Sequence, residues 1–380
     1  MLPDYGCGSL ADLMPAVLTC LGQPGLGEVG EAGARPGLDL PPSDRVVVLL
    51  VDGLGLDAVI DHADLAAYLA TLLAAPASRR LTSVFPTTTP IALTSLGTGL
   101  TPGQHGITGL LLRLTTGQVV NTLAIPAQTD LRVLQPQPTV FDRAVKAGIE
   151  VTRVGPASFD GQGLTEAGLR GGTYAAGETV AERIAAVASA VRRGDRSLTY
   201  VYYGDLDSTG HRFGVASELW RIVLGRVDRL VQQLVEALPP GATLVVTSDH
   251  GMLDVPRDNR IDLALTPALS KDVVAVSGDL RGAQVHVRGG ATSDVLAAWR
   301  DTLGSAFWVV PQDEAVAAGL YGPQVADHVR ARLGDVLALA VADHVIVDSA
   351  TMPPRMLDLI GMHGALSEVE LAVPLLVHEV

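Results

Sequence analysis

Cysteine is nearly absent: the 380 residues contain 2, Cys7 and Cys20. That is too few for a disulfide framework and points to a reducing cytoplasm as the chain's home. Basic residues are scarce as well, 27 Lys+Arg against 41 Asp+Glu, for a net charge of −14. So acidic a chain repels polyanions and lacks the counterion-release term behind general nucleic-acid binding, which excludes nucleic-acid polymers as partners. Long apolar runs are missing too. Stretches such as Val46 to Val51 and Val336 to Ala342 last six or seven residues, whereas a bilayer span needs about 20, so no membrane span is expected. Met1-Leu2-Pro3-Asp4-Tyr5 lacks the basic start and apolar stretch of a secretory signal. Charged residues make up only 18% of the chain and hydrophobic ones 48%, which excludes intrinsic disorder.

What is present is an alternation of β-branched apolar runs with amphipathic stretches. This is the signature of an α/β fold with a mostly parallel central sheet and helices on both faces. Strands are predicted at Arg45 to Val51, Arg80 to Val84, Glu150 to Val154, Ser197 to Tyr203 and Ala242 to Thr247, with a last apolar run at Leu371 to Val377. Helices are predicted at Asp57 to Ala74, Val140 to Ala147, Thr179 to Arg193 and Ser217 to Leu238. Ser9 with Asp12 reads as a capped start for a further helix over Leu10 to Leu21. Gly25 to Gly30 spells a dinucleotide-binding fingerprint by letters, but it follows no strand and opens no apolar helix, so no such cofactor is assigned. Residues 1–44 thus form an N-terminal helix and wrapping segment, 45–252 with 344–380 the main core, and 253–343 an inserted cap.

Ligands of parallel α/β sheets gather at the carboxyl ends of the strands. Three runs end there in polar residues. Val51 is followed by Asp52-Gly53, Tyr203 by a loop carrying Asp205, Asp207 and His211, and Thr247 by Ser248-Asp249-His250-Gly251. Each alone reads as an ordinary turn. Together they deliver carboxylates and imidazoles to one sheet edge, and His363, between glycines in Gly361-Met362-His363-Gly364, joins them. Mixed Asp and His ligation suits Zn²⁺, and less selectively Mn²⁺ or Fe. Asp52, Asp207, His211, Asp249, His250 and His363 would hold two divalent ions with three ligands each, leaving positions open for hydrolytic chemistry.

The stretch Phe85-Pro86-Thr87-Thr88-Thr89-Pro90 precedes an apolar helical segment. Pro90 suits a first helical position, which makes Thr89 the expected N-cap. A hydroxyl there lies where free amides and the helix dipole favour negative charge, and a metal on that oxygen would make it a nucleophile. Tyr202, Tyr203, Phe213 and Trp308 are candidates for stacking, though such aromatics are ordinarily core or rim residues.

These motifs, with Thr98-Gly99-Leu100-Thr101-Pro102-Gly103-Gln104-His105-Gly106, occur over residues 46–377 in an order that resembles the alkaline phosphatase superfamily, and within it the nucleotide pyrophosphatase/phosphodiesterase branch. The resemblance implies one metal site of Asp207, His211 and His363 and another of Asp52, Asp249 and His250, with Thr89, also a metal ligand, as the catalytic nucleophile. It implies hydrolysis of small phosphodiesters or nucleotide pyrophosphates through a phosphothreonine intermediate. The alternatives are a phosphomonoesterase, phosphonate hydrolase or phosphomutase of the same superfamily, and a phosphoester-binding protein without turnover. One position departs from the pattern: Ala92 stands where the diesterases carry an Asn that holds a phosphate oxygen.

Overall fold

The computed structural model describes residues 1–25, 38–125, 129 and 131–380. Residues 26–30 of the fingerprint-like segment lie outside them. The centre is a seven-stranded sheet in the order Arg79–Thr82, Ala372–Glu379, Ala242–Thr247, Arg45–Val51, Ser197–Tyr203, Glu150–Gly155 and Thr173–Ala176. Ala372–Glu379 runs antiparallel to both neighbours, and the remaining pairs are parallel.

Arg45–Val51 is central because it is apolar on both sides. Val46, Val48 and Leu50 enter one core, and Val47, Leu49 and Val51 enter the other, as a side-chain period of two requires. The first core is covered by helices Leu10–Cys20, Thr89–Thr98 and Val140–Lys146. Helices Ala67–Leu73, Val180–Ala190 and Glu218–Ala237 cover the second. The Ser9 and Asp12 capping box is formed: Asp12 Oδ2 accepts from the Ser9 N–H at 2.9 Å and from its hydroxyl at 2.7 Å.

Three departures of local structure from the sequence expectation have identifiable causes or consequences for the site. The helix expected over Asp57 to Ala74 is two helices, Leu56–Asp61 and Ala67–Leu73. The buried Asp228 carboxylate, from another helix, accepts the Leu69 N–H at 2.9 Å and so caps a fresh helix start. The segment expected to be a loop after Tyr203 is the helix Asp205–Phe213. Thr88, not Thr89, is the N-cap of Thr89–Thr98, because the Thr88 carbonyl accepts the Ala92 N–H at 3.0 Å. Pro90 is accordingly the second helical residue.

A second, antiparallel sheet has the order Phe307–Pro311, Val336–Ala340, Gly282–Val287, Val273–Gly278, Leu111–Arg113 and Val119–Asn121. Its last two strands come from a hairpin of the chain before residue 150. Trp299, on helix Thr292–Leu303, anchors a separate core under this sheet. Buried Arg281 grips Glu370 through two bonds, 2.8 Å and 3.0 Å, and ties that layer to the segment entering the final strand of the main sheet. Among the described residues no helix is long and apolar enough to cross a membrane.

Candidate active site

Asp52 directly follows the central strand, and Asp249 and His250 follow its parallel neighbour Ala242–Thr247. Gly53, at φ +74, turns the chain below helix Asp205–Phe213; a Cβ there would lie 3.0 Å from the Asp207 Cα. On that helix Asp207 and His211 are four residues apart and share a face, while Asp205, two residues before Asp207, points elsewhere. Helical geometry thus brings Asp207, and not Asp205, to the face that carries His211. His363 follows the short strand Gly361–Met362.

The six side chains form two triads, Asp207 with His211 and His363, and Asp52 with Asp249 and His250. Within each, the ligand atoms lie within 4.8 Å of one another. In the first, His211 Nε2 is 3.4 Å from Asp207 Oδ1 and 3.2 Å from His363 Nε2. In the second, His250 Nε2 is 3.5 Å from Asp52 Oδ1 and 3.4 Å from Asp249 Oδ2. The His250 and His363 rings stack at 3.6 Å between the triads.

Two observations bear on whether these residues fit metal ions. All three Nδ1 atoms face backbone carbonyls: His211 faces Gly361 at 2.7 Å, His250 faces Gly251 at 3.1 Å, and His363 faces Thr87 at 2.8 Å. With the proton on Nδ1, every Nε2 presents a lone pair to the site, the tautomer a metal ligand needs. The nearest carboxylate oxygens, Asp52 Oδ1, Asp207 Oδ1 and Asp249 Oδ2, are buried with no hydrogen-bond partner. Lone pairs facing lone pairs in a buried cluster are unfavourable unless a cation lies between them. The donor set fits two divalent ions.

The electrostatics agree. Burial, then the carboxylates of Asp249 and Asp207, hold Asp52 well above the ordinary carboxylate value. Burial also raises Asp207, against the opposing influence of His211 and His250. His363 is pushed well below the usual imidazole value by burial and by its neighbours His250 and His211, so it stays neutral.

Thr89, freed from capping, places Oγ1 3.3 Å from His250 Nε2 and 3.5 Å from Asp52 Oδ2 at the head of its helix. Ala92 is buried and offers no donor, and the Thr94 hydroxyl is spent on the Pro90 carbonyl at 2.6 Å. No side chain of this turn therefore replaces the missing Asn.

Sequence reasoning missed the role of Tyr202. Its hydroxyl donates to Asp52 Oδ2 at 2.5 Å and fixes that carboxylate, while its ring meets Phe159 edge-on at 5.6 Å. The available signal was its place near the end of the strand beside Asp52. A cavity of about 390 Å³ opens from Thr89 between Leu93, Leu169, Phe159 and Tyr202, and is lined also by Arg153 and Tyr200. His105, in contrast, is enclosed: its Nε2 meets the Ser95 hydroxyl at 2.8 Å and its Nδ1 accepts the Ile107 N–H.

Residues 46–366 match the model of the type I phosphodiesterase / nucleotide pyrophosphatase family. A phosphopentomutase of Anaeromyxobacter dehalogenans is 36% identical over 125 residues, 32% of this chain and 30% of that protein. Human ectonucleotide pyrophosphatase/phosphodiesterase family member 7 is 29% identical over 189 residues, 47% of this chain and 41% of the relative. The matched segments thus span less than half the length of either curated relative. Among solved structures, an inactive variant of murine ectonucleotide pyrophosphatase/phosphodiesterase 5 in complex with AMP superposes with a TM-score of 0.70, at 20% identity and 88% coverage of each chain. Phosphonoacetate hydrolase from Sinorhizobium meliloti gives 0.67 at 22% identity, over 88% of this chain and 90% of that one. These two likenesses establish the shared fold, a mostly parallel sheet surrounded by helices. With its family match running through every strand end that builds the two triads, the chain belongs to the type I phosphodiesterase / nucleotide pyrophosphatase family of the alkaline phosphatase superfamily.

Proposed function

We propose that this protein is a two-metal hydrolase that cleaves small-molecule phosphodiesters or nucleotide pyrophosphates through a phosphothreonine intermediate. The observation that carries the reading is Thr89 Oγ1 at 3.3 Å and 3.5 Å from two members of one triad, at a helix N-terminus and on the wall of an otherwise largely apolar cavity. Two divalent ions, Zn²⁺ by the His and Asp donor set or else Mn²⁺ or Fe, would be held by Asp207, His211 and His363 and by Asp52, Asp249 and His250, with Thr89 adjoining the second set. When bound, such ions supply Lewis acidity at the attacking and leaving oxygens.

The chain's own residues do the positioning. Tyr202 pins the Asp52 carboxylate, whose Oδ2 orients the Thr89 hydroxyl. Thr89 Oγ1 attacks phosphorus, the bond to the leaving oxygen breaks, and phosphorus becomes bonded to Thr89. Water then attacks the same phosphorus and restores the hydroxyl. The helix N-terminus favours the charge on the phosphoryl oxygens, and the cavity takes the second ester group, a group that a monoester lacks.

A second reading is a phosphomonoesterase, phosphonate hydrolase or phosphomutase. Ala92 in place of the diesterase Asn and the local similarity to phosphopentomutase support it. The test is hydrolysis of bis-(p-nitrophenyl) phosphate against p-nitrophenyl phosphate by metal-reconstituted protein. Diester preference, lost in Thr89→Ala, is expected; monoester preference favours the second reading. A protein that binds a phosphate ester without hydrolysing either compound is neither.

A further inference from the structure

Arg153 is an unusual residue for its position. It lies inside the strand Glu150–Gly155, its side chain is 7% exposed, and its Nε and Nη1 have no hydrogen-bond partner. The guanidinium sits over the Tyr174 ring at 5.5 Å and forms a loose ion pair with the half-buried Glu166, Nη1 to Oε1 3.7 Å, too long for a hydrogen bond. Tyr200, its register partner on the next strand, carries a buried hydroxyl that is also unpartnered. Burial and the carboxylates of Asp249 and Asp52 keep that phenol protonated and hence a donor. Both residues line the cavity that begins at Thr89, among Leu93, Leu123 and Leu169.

A buried guanidinium with free donors is costly unless an anion completes it. A site built this way also rejects ligands that leave those donors unpaired. Arg153 and Tyr200 belong to neither triad and line the cavity beyond Thr89.

We propose that the pocket beside Thr89 selects substrates whose ester group carries a second oxyanion, a carboxylate or a phosphate on an apolar body, bound by Arg153 and Tyr200. The proposal rests on the hydrolase reading for the place of the scissile phosphorus.

The test compares three chromogenic diesters that release the same p-nitrophenol: p-nitrophenyl phosphates whose other ester group is phenyl, p-carboxyphenyl or p-phosphophenyl. In parallel, calorimetry measures binding of the non-hydrolysable benzylphosphonate and p-carboxybenzylphosphonate. The full-length metal-loaded protein is expected to favour at least one oxyanion-bearing diester in kcat/KM by about tenfold or more, the scale of a hydrogen bond to a charged group. The two arms distinguish carboxylate from phosphate. Arg153→Met brings the ratio close to one, and Arg153→Lys, which keeps the charge, retains part of it. Should Arg153→Met fail to fold, Tyr200→Phe is expected to lower the ratio severalfold. A ratio near one in the unmodified protein, or a ratio that survives in Arg153→Met, overturns the proposal. If no diester is hydrolysed but the oxyanion-bearing ligand binds more tightly in an Arg153-dependent manner, the hydrolase reading fails and the pocket assignment stands. Hydrolysis of all three at equal rates has the opposite meaning.

Discussion

Tyr202→Phe isolates the support given to the Asp52 carboxylate of the proposed metal site. The substitution removes a single oxygen and keeps the ring, so the edge contact with Phe159 survives. What is lost is the 2.5 Å hydrogen bond to Asp52 Oδ2, whose other neighbour on that oxygen is the Thr89 hydroxyl at 3.5 Å. Tyr202 is a neutral donor, because burial and the charge of Asp52 hold its phenol well above the usual value. A hydrogen bond to a charged group contributes about 1.5–3 kcal/mol, equivalent to roughly 10–100-fold in affinity, the range seen when the outer partner of a metal ligand is deleted. The assay is competition for Zn²⁺ between the apoprotein and a chromophoric chelator, in the unmodified and Tyr202→Phe proteins. The ion proposed for Asp52, Asp249 and His250 should bind at least tenfold more weakly, and the other ion should be nearly unaffected. Affinities at both sites within twofold of the original would refute the role given to Tyr202.

Other perturbations test the scaffold. Asp228→Ala removes the cap from helix Ala67–Leu73 and should lower stability by about 1 kcal/mol in urea unfolding while leaving the two triads intact. Arg281→Met leaves the Glu370 carboxylate buried without its partner; a loss of about 3–5 kcal/mol in the same measurement is expected. His105 is held at about 3 by burial, against roughly 6.5 when unfolded. Because the folded value is depressed, its contribution is present above about pH 6.5 and is lost as the pH falls towards 3, since the unfolded chain binds that proton first. Urea stability should therefore drop across this window, and His105→Gln should flatten the drop.

The main sheet was legible because its strands are short apolar runs with two buried faces. Arg45–Val51 and Ser197–Tyr203 have the predicted bounds, and the alternation along Val46 to Val51 maps onto two separate cores. Helix Asp205–Phe213 was not legible, since Asp-Leu-Asp-Ser-Thr-Gly-His-Arg-Phe is polar apart from Leu206 and Phe213 and carries a glycine inside the helix. The four-residue spacing of Asp207 and His211 was the only local hint of it. Adjacent threonines hid the cap: Thr88 and Thr89 are equally competent by composition, and the first backbone bond of the helix decides between them. Strand Thr173–Ala176 was missed because it is a four-residue edge strand with little burial. The partners of the site were hidden for a different reason. Tyr202 and Arg153 are brought to the cavity beside Thr89 by strand pairing, through a register that a single sequence does not display, although a charged residue inside Glu150–Gly155 was a visible irregularity.

The most direct measurement is to capture the covalent intermediate. Metal-loaded protein is mixed with bis-(p-nitrophenyl) phosphate, quenched in acid during turnover, digested and mapped by mass spectrometry. The expected result is a phosphoryl-ester adduct on Thr89, absent in Thr89→Ala, with p-nitrophenol release lost in that variant. Unchanged turnover by Thr89→Ala, or an adduct on another residue, would contradict the assignment of Thr89 as the nucleophile beside the two triads.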